Sequence, residues 1–285
     1  MNRLPTAKRA HILAMLCEGN SMRSTSRLAD VSINTVSKLL VDAGRFSVAF
    51  HDEMVRGVVA KRVQADEIWS FCYAKNKNVT DEIRKKHADA GDVWTWTAID
   101  ADTKLCIAYL VGARDGFCAE LLMRDLESRL ADRTQLTTDQ LTIYLKAVDL
   151  AFKNEIDYAM LHKVYASVQD GRYSPPECIG TKVVEVSGSP DPVHISTSYV
   201  ERSNLTMRMH MRRFTRLTNA FSKKFENHAH MVAIYTVWYN WVRIHKTLRV
   251  TPAMEAKLTD RTWSFVELVE LMDAVNAPQP AGGSN

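Results

Sequence analysis

The sequence predicts an α/β protein: a mixed β-sheet with flanking helices, preceded by a small all-α domain of helix-turn-helix type. Three observations predict it. Apolar residues recur at helical spacing with tight links from Thr6 to Gly44. From Arg62 onward, runs rich in aromatic and branched residues alternate with helical runs. Three carboxylates stand in distinct settings: Asp66 in the strand-like VQADEIWSFCY, Asp139 at the end of RTQLTTD, and Glu201 at the head of a basic stretch, YVERSNLTMRMHMRRFTRL.

The first helix has Ala10, Leu13 and Cys17 near one face and ends by Gly19. Ser21 is placed to cap a second helix through Ala29. Ser32 is placed to cap a third, with Val36, Leu39 and Leu40 inward and Gly44 as its stop. In a helix-turn-helix the N-terminal residues of the third helix meet base edges. That makes Asn34, Thr35 and Lys38 the expected readers and Arg27 a phosphate contact. A three-helix domain that binds protein is the alternative.

VQADEIWSFCYAK then reads as a strand, and Lys75 to Asp92 as a loop with a short helix. VWTWTAIDADTKLCIAYLVG reads as a hairpin around an Asp100–Lys104 turn. Phe117 to Leu130 is helical, QLTTD a short strand, Leu141 to Phe152 a helix and DYAMLHKVYA a strand. The segment from Ser167 to Ser198, with Pro175, Pro176, Gly180, Gly188, Pro190 and Pro192, is too punctuated for regular structure. A helix from Glu201, one from Glu226 to His245 and one from Thr262 to Met272 follow, then a Pro/Gly/Ser tail. Strand, hairpin, helix, strand, helix, strand and late helix is the succession of the RNase H-like fold. In it the first and fourth strands are neighbours, so Asp66 and Asp139 would meet at one sheet end.

The formal charge of +4 is mild, so the distribution of charge matters more than its sum. Arg202, Arg208, Arg212, Arg213, Arg216, Lys223 and Lys224 fall in one stretch without an acid. Clustered cations release counterions from DNA and strengthen binding. Five cysteines, widely spaced and without a CxxC pair, argue against a zinc site or disulfide framework and for a reducing compartment. The N-terminal stretch lacks a signal peptide's apolar core and cleavage site. No apolar run is long enough to span a membrane.

Two Asp at strand ends and one Glu on a helix are what a two-metal phosphodiester site needs. Mg2+, or Mn2+ in its place, prefers carboxylate oxygens, and a bridging carboxylate holds two ions about 3.5–4 Å apart. Glu201, Asn204, Leu205 and Arg208 share a helix face, aiming a carboxylate, an amide and a guanidinium the same way. A single Asp at a strand end is more often a turn residue, so the case rests on the three together. Glu67 competes with Asp66: strand neighbours point to opposite faces, so only one is expected to reach the metals.

DEIWSF, GDVWTWTAID, the TTD followed by Tyr144, TSYVERSNLTMRMHMRRFTRLTNAFSKK and YNWVRIHKTLRVTPAM resemble a bacterial insertion-sequence DDE transposase, in the family of the first-numbered enterobacterial insertion sequence. The resemblance runs from about Arg3 to Met272. It implies an RNase H-like core, two Mg2+ ions and a triad of Asp66, Asp139 and Glu201, and it selects Asp66 over Glu67. Arg208, seven residues after the glutamate, occupies a place where relatives often carry a basic residue near DNA. Gln140 replaces a common Gly, and the cysteine-rich module of better-known members is missing.

The expected organisation is a DNA-binding domain at 1–45, a linker at 46–61, a catalytic domain at 62–247 with an insertion near 166–198, and C-terminal helices and tail at 248–285. The expected activity is metal-dependent DNA cleavage and strand transfer. The N-terminal domain would recognise terminal inverted repeats, and Asn204, Arg208, Arg212, Arg213 and Arg216 would position DNA. Expected partners are double-stranded DNA and further copies of the chain, as a homodimer or higher oligomer, with no membrane and no small-molecule substrate. The expected location is the bacterial cytoplasm, at the nucleoid. The alternatives are an RNase H-like nuclease that only hydrolyses and a silent transposase-derived regulator.

Overall fold

The computed structural model describes residues 3–165, 177–215 and 218–275. Its chain divides into two units. One comprises Met1–Met54, Cys72–Gly91 and Met207–Asn285, the other Val55–Phe71 and Asp92–Thr206.

The second unit is built on a six-stranded mixed sheet of order β3-β2-β1-β4-β5-β6. Its strands are β1 (Arg62–Cys72), β2 (Gly91–Asp100), β3 (Cys106–Gly112), β4 (Gln135–Asp139), β5 (Asp157–Tyr165) and β6 (Cys178–Ser187). β1 and β5 both run parallel to β4, while β2 with β3 and β5 with β6 are antiparallel. This is the RNase H-like arrangement that the sequence predicts, with β1 beside β4 and one further strand at the edge. The β2–β3 hairpin turns where expected. The Asp100 carboxylate accepts from the Asp102 and Thr103 amides at 3.0 and 3.3 Å, and Lys104 takes the left-handed conformation that closes the turn.

One helix links β3 to β4, and another returns the chain between the parallel β4 and β5. α5 (Gly116–Arg129) packs on β3 and on α6 (Ile143–Phe152). Asp115 caps α5, accepting from the Cys118 amide at 2.9 Å. Leu122, Met123 and Leu126 of α5 and Tyr144 and Ala147 of α6 are buried. They make a helix layer with the ring of Trp96, which meets Tyr144 edge-on at 5.6 Å.

The expected irregular segment before Ser198 contains β6, paired with β5 from Tyr158 to Tyr165. The prolines and Gly188 that suggest a loop stand outside the strand; only Gly180 is inside it. Residues 166–176 lie outside the described residues.

The first unit is helical, with a short piece, α4 (Asp81–Lys86), from the segment 72–91. α1 (Thr6–Cys17), α2 (Met22–Leu28) and α3 (Ile33–Met54) form the expected helical triplet. Ser21 and Ser32 cap as the sequence suggests, accepting from the Ser24 and Thr35 amides at 3.0 and 3.1 Å. α3 does not stop at Gly44. It continues to Met54, so the expected boundary at 45 and most of the expected linker 46–61 fall within one helix. Gly44 serves close packing instead: a Cβ there would stand 2.3 Å from the Cβ of His230. His230 belongs to α8 (Phe225–Val237), on which α3 packs. α1 packs on α10 (Phe265–Val275), and the buried Arg9 guanidinium bonds Asp273 at 2.7 Å. Phe50, Trp241 and Trp263 meet edge-on within the same unit.

Candidate active site

The register of the central strands assembles the site. Ala65 of β1 pairs with Thr138 of β4, which sets the next residues, Asp66 and Asp139, side by side at the carboxyl end of β4. Asp66, Glu67 and Asp139 each place one carboxylate oxygen within 4.8 Å of the others. Both Asp66 and Glu67 thus bring a carboxylate oxygen near Asp139, although strand alternation points their side chains apart. Their side chains do take different partners: Asp66 accepts from Asn204 at 2.8 Å, and Glu67 from Arg114 and Tyr144. Asp139 is the last residue of its strand.

Glu67 is enclosed, its side chain 2% exposed. The Arg114 guanidinium donates to Oε1 through Nε at 2.8 Å and lies 2.6 Å away at Nη2. The Tyr144 hydroxyl donates to Oε2 at 3.2 Å. Burial, then the Asp139 charge, pushes the Glu67 carboxyl up, and Arg114 and Tyr144 pull it back. Asp139 also accepts from the Leu141 amide at 3.0 Å, so it is a turn residue as well as a member of the cluster.

Glu201 lies on α7 (Ser198–His210) and does not join the three-carboxylate group. Its Oε1 accepts from Thr197 at 2.7 Å, and both its oxygens bond the Lys163 ammonium. Its charge nevertheless reaches Asp66. Burial first, then the charges of Glu67, Asp139 and Glu201, push the Asp66 carboxyl up to about 7.

Asn204, expected on the DNA side, is instead 5% exposed and committed to Asp66, which it orients. Arg213 is likewise turned inward: it donates to Ser222 Oγ at 3.1 Å and to the Asn227 carbonyl at 2.6 Å. Burial lowers its guanidinium to about 10. Arg212 is exposed, Arg208 is half-buried, and Arg216 lies outside the described residues. Arg27, Asn34 and Lys38 are exposed on the helical triplet, with Thr35 half-buried beside them. Sequence reasoning misses Arg114 and Lys163. A buried Glu67 demands a countercharge, but nothing in the spacing says which cation supplies it.

The donor set suits a hard divalent ion. Carboxylate oxygens are the ligands such ions prefer, and the part of the Asp66 elevation that comes, after burial, from the charges of Glu67, Asp139 and Glu201 is one that a cation would offset. A pH dependence follows. A carboxylate whose folded pKa is raised costs stability as pH climbs from its ordinary 3.8 through about 7. An ion held by Asp66 needs it ionised. Millimolar Mg2+ or Mn2+ is thus expected to raise the melting temperature more at pH 8 than at pH 5.5, by roughly 2–4 °C for each kcal/mol of linked binding. Thermal melts with and without the ion at both pH values check this, and an equal shift at both would count against Asp66 as a ligand.

No family model matches the chain, and no curated protein matches it. Among solved structures it is similar to the piggyBac transposase synaptic complex with hairpin DNA, at 10% identity over 97% of this chain and 73% of that one, with a TM-score of 0.40. It is also similar to the Mos1 transposase paired-end complex with left transposon end, at 10% identity over 84% and 79%, with a TM-score of 0.28. A pre-cleavage Mos1 transpososome aligns at 11% identity over 83% and 78%, with a TM-score of 0.26. At these scores the likenesses carry no argument about function.

Proposed function

We propose that the chain is an insertion-sequence DNA transposase, which binds the element's terminal inverted repeats and carries out metal-dependent cleavage and strand transfer. The observation that supports it most is the meeting of Asp66, inside β1, with Asp139, the last residue of the parallel β4, in a cluster of carboxylates. Asp66 and Asp139 would hold Mg2+, with Mn2+ as substitute, and Glu201 would complete the set. Glu201 is the better third ligand because its present partners give way cheaply. Its ion pair with Lys163 is open to solvent, whereas drawing Glu67 away would strand Arg114 and Tyr144. Bound ions supply an activated water or 3′-hydroxyl and charge stabilisation at the departing 3′ oxygen.

In this reading Asn204 fixes the Asp66 carboxylate, and Arg114 and Tyr144 hold Glu67 as a neutralised neighbour. Arg208 and Arg212 contact the backbone without reading sequence. Asn34, Thr35, Lys38 and Arg27 contact the element ends. Two ends must be held at once, so a homodimer or larger assembly on DNA is part of the proposal, as is action at the bacterial nucleoid. Among the described residues no helix is long and apolar enough to cross a membrane.

The test incubates the full chain and Mg2+ with duplexes carrying the DNA that flanks its coding sequence. Joined products support transposition, cutting without joining supports a hydrolytic nuclease, and binding without cutting supports a regulator. The same assay separates the carboxylates. Glu201→Gln is expected to lower cleavage by roughly 10²–10³-fold, and Glu67→Gln by less than tenfold. The reverse order would reassign the third ligand to Glu67.

A further inference from the structure

Lys163 stands on β5, two residues past Leu161, and Leu161 pairs with Asp139. Ladder partners share a sheet face, as do residues two apart in a strand. Lys163 therefore lies on the Asp139 side of the sheet, two residues past the last pair of β4 with β5. Its ammonium pairs with Glu201, which also holds Thr197. The Lys163 side chain is 26% exposed and that of Glu201 45%. An ion pair so open to water contributes little to stability and breaks readily.

We propose that Lys163 is a residue for holding DNA phosphate, paired with Glu201 until Glu201 turns to a divalent ion and releases it. This rests on the reading of the site as a metal-dependent DNA-cleaving centre. The ammonium and the ion compete for one carboxylate, and the ion carries twice the charge. Once displaced, Lys163 is a mobile point charge on a four-carbon stem at the mouth of the site. The anion that arrives there with the metal is the DNA backbone, which a lysine suits. The exchange keeps the local charge balanced in both states. Before loading, the ammonium offsets Glu201; afterwards the ion offsets Glu201 and the ammonium offsets phosphate. A static fastening of α7 to β5 would use the same ion pair but would predict none of this.

The experiment uses the full chain and four variants: Lys163→Met, Lys163→Arg, Glu201→Gln and the Lys163→Met/Glu201→Gln double. Mn2+ affinity is measured by calorimetry without DNA. Duplex binding is titrated with salt in Ca2+ and in chelator, and nicking of a supercoiled plasmid is timed in Mn2+. Lys163→Met is expected to bind Mn2+ as tightly as wild type or up to about fivefold tighter. It should nick roughly 10²-fold more slowly. The salt slope of log K should flatten by about 0.9 in Ca2+ and stay unchanged in chelator, where Lys163 is occupied by Glu201. Lys163→Arg should restore much of the nicking. In the double variant the Lys163 change should no longer raise Mn2+ affinity above that of Glu201→Gln. If Lys163→Met does not fold, Lys163→Gln carries the same expectations. Nicking and salt slope equal to wild type would overturn the proposal, and so would a loss of Mn2+ affinity in Lys163→Met. A wild-type chain that neither binds Mn2+ nor nicks DNA would instead overturn the reading of the site.

Discussion

Asp139→Asn is expected to abolish cleavage and strand transfer while leaving DNA binding intact. The substitution keeps the side chain's size, and its carbonyl oxygen can still accept from the Leu141 amide that Asp139 now engages at 3.0 Å. The turn after β4 should therefore survive. What is lost is a negative charge in the carboxylate cluster. Divalent affinity should drop at least tenfold and cleavage roughly 10³-fold. The groups assigned to DNA, among them Arg208, Arg212 and Lys38, are separate residues that the change does not touch. Duplex affinity should hold or rise slightly, since a carboxylate facing phosphate is repulsive without its ion. Glu67 and Asp66 should also titrate at lower pH, because the Asp139 charge is one of the causes that raise both. Calorimetric Mn2+ titration, salt-titrated duplex binding and a strand-transfer assay measure the three effects side by side. Retention of strand transfer within tenfold of wild type would remove Asp139 from the mechanism and take the transposase reading with it.

The pairing of Asp66 with Asp139 is legible in the sequence because each ends or crosses a strand whose apolar run is plain, and because element order alone makes β1 and β4 neighbours. The hairpin is legible for a local reason: Asp100 folds its own turn. Features that depend on what lies across the fold are not legible. Gly44 reads as a helix stop, yet its lack of a side chain is what lets α3 close on His230. β6 reads as loop because Pro and Gly flank it, and local punctuation says nothing of the β5 edge it completes. The shared face of Glu201 and Asn204 is correctly inferred from helical spacing. Spacing does not reveal that Asn204 meets Asp66 or that Glu201 meets Lys163. Alternation along β1 places Asp66 and Glu67 apart, but it cannot show that both bring a carboxylate oxygen within 4.8 Å of one on Asp139.

Arg114→Ala is expected to be the most destabilising single change near the site, by about 3 kcal/mol. Glu67 has a side chain 2% exposed, and Arg114 is the cation that pairs with it. Deleting the cation leaves a carboxylate shut away from water with the Tyr144 hydroxyl still donating to it. Arg114 is itself 40% exposed, so water entering the vacated space holds the loss toward the lower end of the range for buried pairs. Some of the loss is packing, because the guanidinium lies over the Trp94 ring at 4.7 Å. Charge and packing separate by pH. Glu67 is raised by burial and Asp139 and lowered by Arg114, so removing Arg114 raises it further. A carboxylate with a raised folded pKa is tolerated while protonated and costs stability as pH climbs past its ordinary 4.5. The Arg114→Ala deficit should accordingly be smaller at pH 5.5 than at pH 8, and adding Glu67→Gln should recover much of the pH 8 deficit. Thermal melts of the wild type, both single variants and the double at the two pH values supply the cycle. A deficit that is the same at both pH values and indifferent to Glu67→Gln would mean that Arg114 matters for its contact with Trp94 and that Glu67 is neutral in the fold.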